Sequence, residues 1–425
     1  MVLTSGIYDE TPLDTAEIPQ SELNIENKFR SNPLAWNGQF SPQLIQVLLK
    51  KYAQPHATIL DPFVGSGTVL LEAGRAGLSA KGTEINPAAV VLSQTYELIN
   101  VPPERRRIWL NKVQEILQRE FPANLLIHNE FQVVRQGMSP EMIKCKLIQM
   151  LSSIEDRLHY RLLETLVALL DFYKPGLSIE RVFANWHRLF RLVTQLPYSP
   201  QPIEVHLADA RRTPFGSSSI DLIITSPPYI NVFNYHQQYR ASMEAMNWNL
   251  LKVARSEIGS NRKHRGNRFL TVIQYCLDMA EVLREMTRVC RPTSRLIFIV
   301  GRESMVRGTK FFNGEMTAEI ANSVLGFDLV LRQERCFVNR YGQNIFEDIL
   351  HFAPAKSQAH PRFLEDAREV ARDVLETTYV TADAKVRSDI MAAIEQVDMV
   401  KPSPTFDLVK LLRDGQPTCE GVAHA

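Results

Sequence analysis

The densest chemistry in this chain lies in five residues, Thr225-Ser226-Pro227-Pro228-Tyr229. They close an apolar run, Ile220 to Thr225, that reads as a buried strand. Two prolines lock the backbone, and the first has no N–H to offer. The carbonyls of Ser226 and Pro227 are then left pointing into whatever cleft borders the strand end. A planar amino group has two hydrogens to donate. The Ser226 hydroxyl and the Pro227 carbonyl can accept both, which holds the nitrogen lone pair toward an electrophile, and Tyr229 offers a flat face for a stacked ring. An extruded nucleobase presents such an edge. The alternative is a stiff strand exit with no ligand.

Three further features could hold a second molecule. The turn Asp61-Pro62-Phe63-Val64-Gly65-Ser66-Gly67-Thr68 follows a short apolar run, 57–60. Glycines at Gly65 and Gly67 permit close backbone approach, and the helix that follows offers free N–H groups. Glu84 ends the next strand candidate, seventeen residues beyond Gly67, where a carboxylate can accept both hydroxyls of a ribose. Asp209 ends a third, in Leu207-Ala208-Asp209-Ala210, where its carboxylate or adjacent backbone can receive an adenine amino group. Each has an ordinary counterpart: a tight strand–helix turn, a surface glutamate, a turn cap.

These groups meet only if the elements between them bring four strand ends to one edge. The pattern supplies this. Segments 57–60 and 80–85 flank a helical stretch, 68–76, closed by Gly77, which is a βαβ unit. A further helix is expected from Pro87 to about Ile99. Ser41 and Pro42 open an amphipathic helix running to Tyr52. The α/β pattern resumes with 203–208, 220–225, a long helix over 269–290 stopped by Pro292, and strands 295–300, 327–331 and 348–352. Seven strand candidates with intervening helices predict an α/β, doubly wound sheet. Four regions follow. Residues 1–30 read as a flexible arm, and 31–100 with 201–354 as the α/β domain. Residues 101–200 read as a helical insertion, and 355–425 as a helical tail.

Composition narrows the classes. Of 425 residues, 45% are hydrophobic and 22% charged, and the net charge is +1, so any nucleic-acid contact must come from local patches. The five cysteines are scattered, with no CxxC pair; they read as reduced thiols and argue against a metal site. No signal peptide or membrane span is expected, which points to a cytoplasmic protein. Candidate phosphate contacts are Lys252, Arg255, Arg262, Lys263, His264, Arg265 and Arg268, opposed only by Glu257. Asn231, Phe233, Asn234, Tyr235 and Tyr239 either line a base pocket or pack the loop. In the insertion, Arg105–Arg107 and the set Arg181, Trp186, His187, Arg188 and Arg191 are candidates for groove readout. The competing reading is an ordinary helix surface with a buried tryptophan.

The runs Asp61-Pro62-Phe63-Val64-Gly65-Ser66-Gly67-Thr68 and Thr225-Ser226-Pro227-Pro228-Tyr229 resemble the cofactor and catalytic motifs of the DNA N4-cytosine/N6-adenine amino-methyltransferases. The resemblance covers roughly 35–100 and 203–353. It implies a Rossmann-like methyltransferase sheet, S-adenosylmethionine as methyl donor, and double-stranded DNA as partner, with a cognate restriction endonuclease as a possible companion. Carried over, Phe63, Gly65 and Gly67 line the donor site together with Asp61 and Thr68. Glu84 binds the ribose and Asp209 lies near the adenine. Phe40 and Pro42 resemble the motif that closes over the methionine part. Ser226, Pro227, Pro228 and Tyr229 form the catalytic turn. The serine resembles the N4-cytosine branch, aspartate being commoner in the N6-adenine branch. The hairpin after the sixth strand, with Arg335, Phe337, Asn339 and Arg340, often contacts the target base in this family. The chain departs from the usual motif order, since its large insertion lies between strands two and three.

The expected activity is methyl transfer to the exocyclic amine of a flipped base, N4 of cytosine foremost, in restriction–modification or host defence. The alternatives are N6-adenine methylation, RNA guanine-N2 or protein-glutamine methylation, and a non-catalytic DNA-binding subunit. No cysteine follows a proline, which argues against cytosine-C5 chemistry.

Overall fold

The computed structural model describes residues 6–122, 138–230, 234–260, 264–339, 341–355 and 360–406. Nine strands run in chain order: β1 Thr58–Asp61, β2 Ser79–Glu84, β3 Ile203–Leu207, β4 Ile220–Thr225, β5 Cys290–Gly301, β6 Glu303–Val306, β7 Thr309–Phe312, β8 Asp328–Val338 and β9 Asn344–Ala353. Seven form one sheet in the order β3-β2-β1-β4-β5-β9-β8. The first five are parallel; β9 runs antiparallel between β5 and β8. All seven expected strands are present. The last three are longer than their apolar cores, and β6 and β7 form an unexpected hairpin.

Helices cover both faces, so the strands are apolar on both sides. In β5, Ile297 and Ile299 pack into one cluster, and Leu296, Phe298 and Val300 into the other. Order reverses between β1 and β4, the point at which an open α/β sheet leaves a crevice at its carboxyl ends. Local sequence sets the helix starts. Asn86 Oδ1 accepts the Ala88 N–H at 3.0 Å with Pro87 in the first turn, and Ser139, Asp156 and Ser178 cap three helices of the insertion. The long helix Leu270–Val289 ends one residue before β5, so Pro292 lies inside the strand rather than stopping the helix from outside.

The insertion contributes helices Pro103–Glu120, Pro140–Ser153, Arg157–Leu170 and Ile179–Gln195. Leu110, Leu162, Leu163 and Val193 share a core with Leu44, Ile59 and Leu92, so these helices form a layer of the main body. Beyond β9, helices Phe363–Thr381 and Ala384–Ile394 pack Val370, Leu375 and Ile390 into the cluster of Leu277 and Leu283 on the opposite face.

The expectation of a flexible arm is corrected. Within 6–30, short helices Ile7–Glu10 and Gln20–Asn24 follow the outer edge of β8. Leu13 bridges Arg332, the Asp14 N–H reaches the Arg332 carbonyl at 2.7 Å, and Asn24 Oδ1 accepts the Cys336 N–H at 2.8 Å. Leu23 is fully buried. An uncovered edge strand carries unpaired backbone groups; this segment pairs part of them. No helix among the described residues is long and apolar enough to cross a membrane.

Candidate active site

Asp61, the last residue of β1, holds the two expected turns together. Its Oδ1 accepts the Phe63 N–H at 3.1 Å on one side and the Thr225 hydroxyl at 2.7 Å on the other. The glycine turn and the double-proline turn therefore leave adjacent strands at one rim of the sheet. Burial pushes the Asp61 carboxyl up to about 7.

A cavity of about 860 Å³ opens at this rim. The first turn contributes Asp61, Phe63, Gly65, Ser66 and Thr68, β2 ends in it with Glu84, and Ala208, Asp209 and Ala210 follow β3. Ser226 and Pro228 come from the double-proline turn, and Phe40 from the loop ahead of helix Pro42–Tyr52. Pro227 is buried behind the wall and Gly67 lies off the cavity. The Gly67 backbone has φ +90°, and a Cβ there would stand 2.6 Å from the Tyr96 ring, so packing against Tyr96 by itself requires glycine here. Pro42, in the first turn of its helix, is buried outside the cavity.

Glu84 meets the ribose expectation only in part. In the free protein one carboxylate oxygen accepts the Gly65 N–H at 3.2 Å, and the other accepts those of Ile85 and Asn86 at 2.9 and 3.0 Å. Burial raises this carboxyl as well, to about 7. Asp209 is more committed. Arg211 grips its carboxylate through two nitrogens at 2.9 and 2.6 Å, and the Arg211 N–H adds a third bond at 2.9 Å. What Asp209 turns toward the cavity is therefore chiefly its position beside Ala208 and Ala210.

Several lining residues went unrecognised in the sequence. Trp36 stacks on Tyr235 and Tyr239, each with centroids 6.4 Å away. The Tyr239 hydroxyl donates to the Ala35 carbonyl at 2.9 Å. Tyr235 thus lines this cavity, and Tyr239 packs the loop. Glu257, read as a lone acid among cations, is buried and accepts both the backbone N–H and the imidazole Nδ1 of His236 at 2.9 Å. Only three-dimensional proximity reveals this pair, since twenty-one positions separate the partners.

A second groove, about 2690 Å³, lies on the other side of the double-proline turn. Tyr229 borders it with Gly301, Arg302, Arg335, Phe337 and Phe346, while Gly38, Gln39 and Phe40 line both spaces. The Tyr229 hydroxyl lies 3.0 Å from Ser226 Oγ, and burial raises its pKa, so it stays protonated. The Tyr229 backbone is held by Gly259, whose φ is +67° and whose added Cβ would meet the Tyr229 carbonyl oxygen at 2.4 Å.

The basic candidates divide. Arg255 and Arg265 are exposed, while Lys252 and Arg268 are half-buried, with Lys252 Nζ 5.6 Å from the Phe406 ring. Burial and neighbouring Arg265 hold the Arg268 guanidinium below its ordinary value. Arg262 and Lys263 lie outside the described residues, as do Asn231, Phe233 and Arg340. Between the cations, Ser256–Ser260 is buried. In the insertion, Arg106 is buried and donates to the carbonyls of Val101, Val193, Leu196 and Pro197. Arg181 reaches the carbonyls of Leu170, Lys174 and Pro175, Arg188 reaches that of Pro33, and Trp186 is core. Arg106, Arg181 and Trp186 serve the packing; Arg105, Arg107, His187, Arg188 and Arg191 are exposed. Arg335 pairs with Glu347 at 2.5 Å beside the outer groove. Burial pushes the thiols of Cys276 and Cys290 up to about 12, which removes them as nucleophiles at neutral pH.

A doubly wound sheet with a reversed strand next to its far edge, and two turns meeting at the switch point, defines a Rossmann-like α/β fold. Residues 13–95 match the family model described as DNA methylase. Type II methyltransferase M.MjaII of Methanocaldococcus jannaschii is 32% identical over 94 residues, a stretch covering 21% of this chain and 17% of that protein. Over this segment, about a fifth of the chain, the protein is similar to DNA methylases. Among solved structures, a SAM-dependent methyltransferase from Methanosarcina mazei aligns with a TM-score of 0.34 and 13% identity, over 73% of this chain and 98% of its own. The rRNA methyltransferase aviRa from Streptomyces viridochromogenes aligns at 0.31 and 12%, over 83% and 97%.

The family's methyl donor is S-adenosylmethionine, and the cavity suits it. Among the described residues its lining holds four carboxylates, Asp61, Glu84, Asp209 and Glu257, and no lysine or arginine. An acidic wall favours a cationic sulfonium. Phe63, Gly65, Glu84 and the 208–210 segment would hold it.

Proposed function

We propose that the protein methylates the exocyclic amino group of a base flipped from double-stranded DNA, N4 of cytosine foremost, in a restriction–modification or host-defence setting. One observation carries this reading: the Ser226–Tyr229 turn is the partition between two spaces, with Ser226 and Pro228 on the acidic cavity and Tyr229 on the outer groove.

Bound in the cavity, the donor supplies an electrophilic methyl group. The chain supplies placement. An exocyclic amine is a weak nucleophile because its lone pair is delocalised into the ring. The Ser226 hydroxyl already has Tyr229 as a partner and keeps a lone pair for an amino hydrogen. The Pro227 carbonyl, next in the rigid turn, is the second acceptor. Two acceptors orient the nitrogen, and the Tyr229 ring holds the base plane. The catalytic gain is positioning in a site that excludes water. Phosphate contacts are assigned to Lys252, Arg255, Arg265 and Arg268, with Arg262 and Lys263 in the same sequence stretch. The exposed side of the insertion is the candidate recognition surface. A cognate endonuclease is the companion this setting implies.

The test is incubation with isotopically labelled S-adenosylmethionine and mixed genomic DNA, followed by mass spectrometry of the nucleosides. N4-methylcytosine is the expected product. N6-methyladenine would reassign the base, and label confined to added RNA or protein would reject the reading.

A further inference from the structure

Residues 401–406 follow the last helices and return to the back of the acidic cavity. We infer that this segment is a latch for the donor site, positioning Asp209 and Ser256 through the buried guanidinium of Arg211. The inference rests on the reading of the cavity as the donor site.

Arg211 is the hub. Its side chain is 1% exposed. It donates to Asp209 at 2.9 and 2.6 Å, to Ser256 Oγ at 3.0 Å, to Asp278 on the long helix at 3.1 Å and to the Ser403 carbonyl at 2.7 Å. The Pro404 carbonyl, 3.4 Å from Arg211, also accepts the Ser256 hydroxyl at 2.7 Å. The tail is fixed in turn by Asp278, which accepts the Ser403 N–H at 2.6 Å and the Ser403 hydroxyl at 2.7 Å. Gln274 and Arg368 hold the carbonyls of Lys401 and Val400.

Asp209 and Ser256 line the cavity; Ser403 and Pro404 do not. The tail therefore acts on the ligand only through residues that touch it. A guanidinium with five donors matches this fan of acceptors, whereas an ammonium has three. Charge reinforces the arrangement. Glu281 adds a third carboxylate 3.7 Å from Arg211, so weakening the tail contacts leaves Asp209 competing with Asp278 and Glu281 for one cation. Asp209 then swings or is desolvated unpaired, and the floor of the cavity changes shape.

The experiment is calorimetric titration of the full-length protein with S-adenosylmethionine, paired with measurement of the apparent affinity for a DNA duplex. Wild-type protein binds the donor; its failure to do so would reject the parent reading. Ser403→Ala removes one hydroxyl bond remote from the cavity. It should weaken donor binding roughly tenfold, the factor expected for about 1.4 kcal/mol, and leave DNA affinity unchanged. Ser403→Thr keeps the hydroxyl and should restore donor binding. Arg211→Lys should lose more than Ser403→Ala. Donor affinity unchanged in Ser403→Ala, or a loss shared equally by donor and DNA, overturns the latch.

Discussion

Asp61 and Glu84 carry the same tension. Each is pushed by burial to about 7, from ordinary values of 3.8 and 4.5. Raised carboxyls bind more protons folded than unfolded. Their stabilising contribution is complete below the unfolded values and is lost as pH rises through about 7. Donor binding has the opposite sign, because a cation gains from the ionised form. Affinity for S-adenosylmethionine should therefore rise between about pH 6 and about pH 7.5, and Glu84→Gln should flatten that profile in calorimetry. Ser226 belongs to the reaction rather than to the donor. Ser226→Ala should lower kcat about a hundredfold while donor Kd stays within about twofold, a split read from steady-state kinetics and direct titration. Ser226, Glu84 and Phe63 were legible because strand-end chemistry depends on position along the chain. Arg211, Glu257 and Trp36 were not, since their partners come from distant segments. Gly67 and Arg106 misled, because a glycine or a cation reads alike whether it serves a ligand or the core.

At the scale of elements, short apolar runs identified all seven sheet strands, and Pro42 and Pro87 marked two helix starts, although Ser41, expected as a cap, makes no side-chain cap bond. The pairing of β8 by the N-terminal segment was hidden. Its helices are four and five residues long, too short for a periodic signal, and its polar surroundings resemble a tail. Yet Leu23 lies in the same cluster as Leu44 and Leu48. Leu23→Ala should cost about 2–5 kcal/mol in urea unfolding, the range for a buried leucine, where a free arm would cost nothing measurable.

Across the whole molecule, β1 pairs with β2 on one side and with β4 on the other, and the intervening chain builds a helical layer. The two strands that flank the glycine turn are thus not a separable nucleotide-binding module. A fragment of residues 1–200 would leave one side of β1 unpaired. It should be recovered in the insoluble fraction, and the full chain in the soluble fraction, when the two are expressed in parallel.

That same pairing sets a schedule for biosynthesis. At ordinary translation speeds of about 5–20 residues per second, β4 leaves the ribosome roughly ten to thirty seconds after β1. Through that interval the nascent protein has β2 to pair with one edge of β1 and nothing yet for the other. The insertion helices, produced meanwhile, pack on the same core as Ile59 of β1.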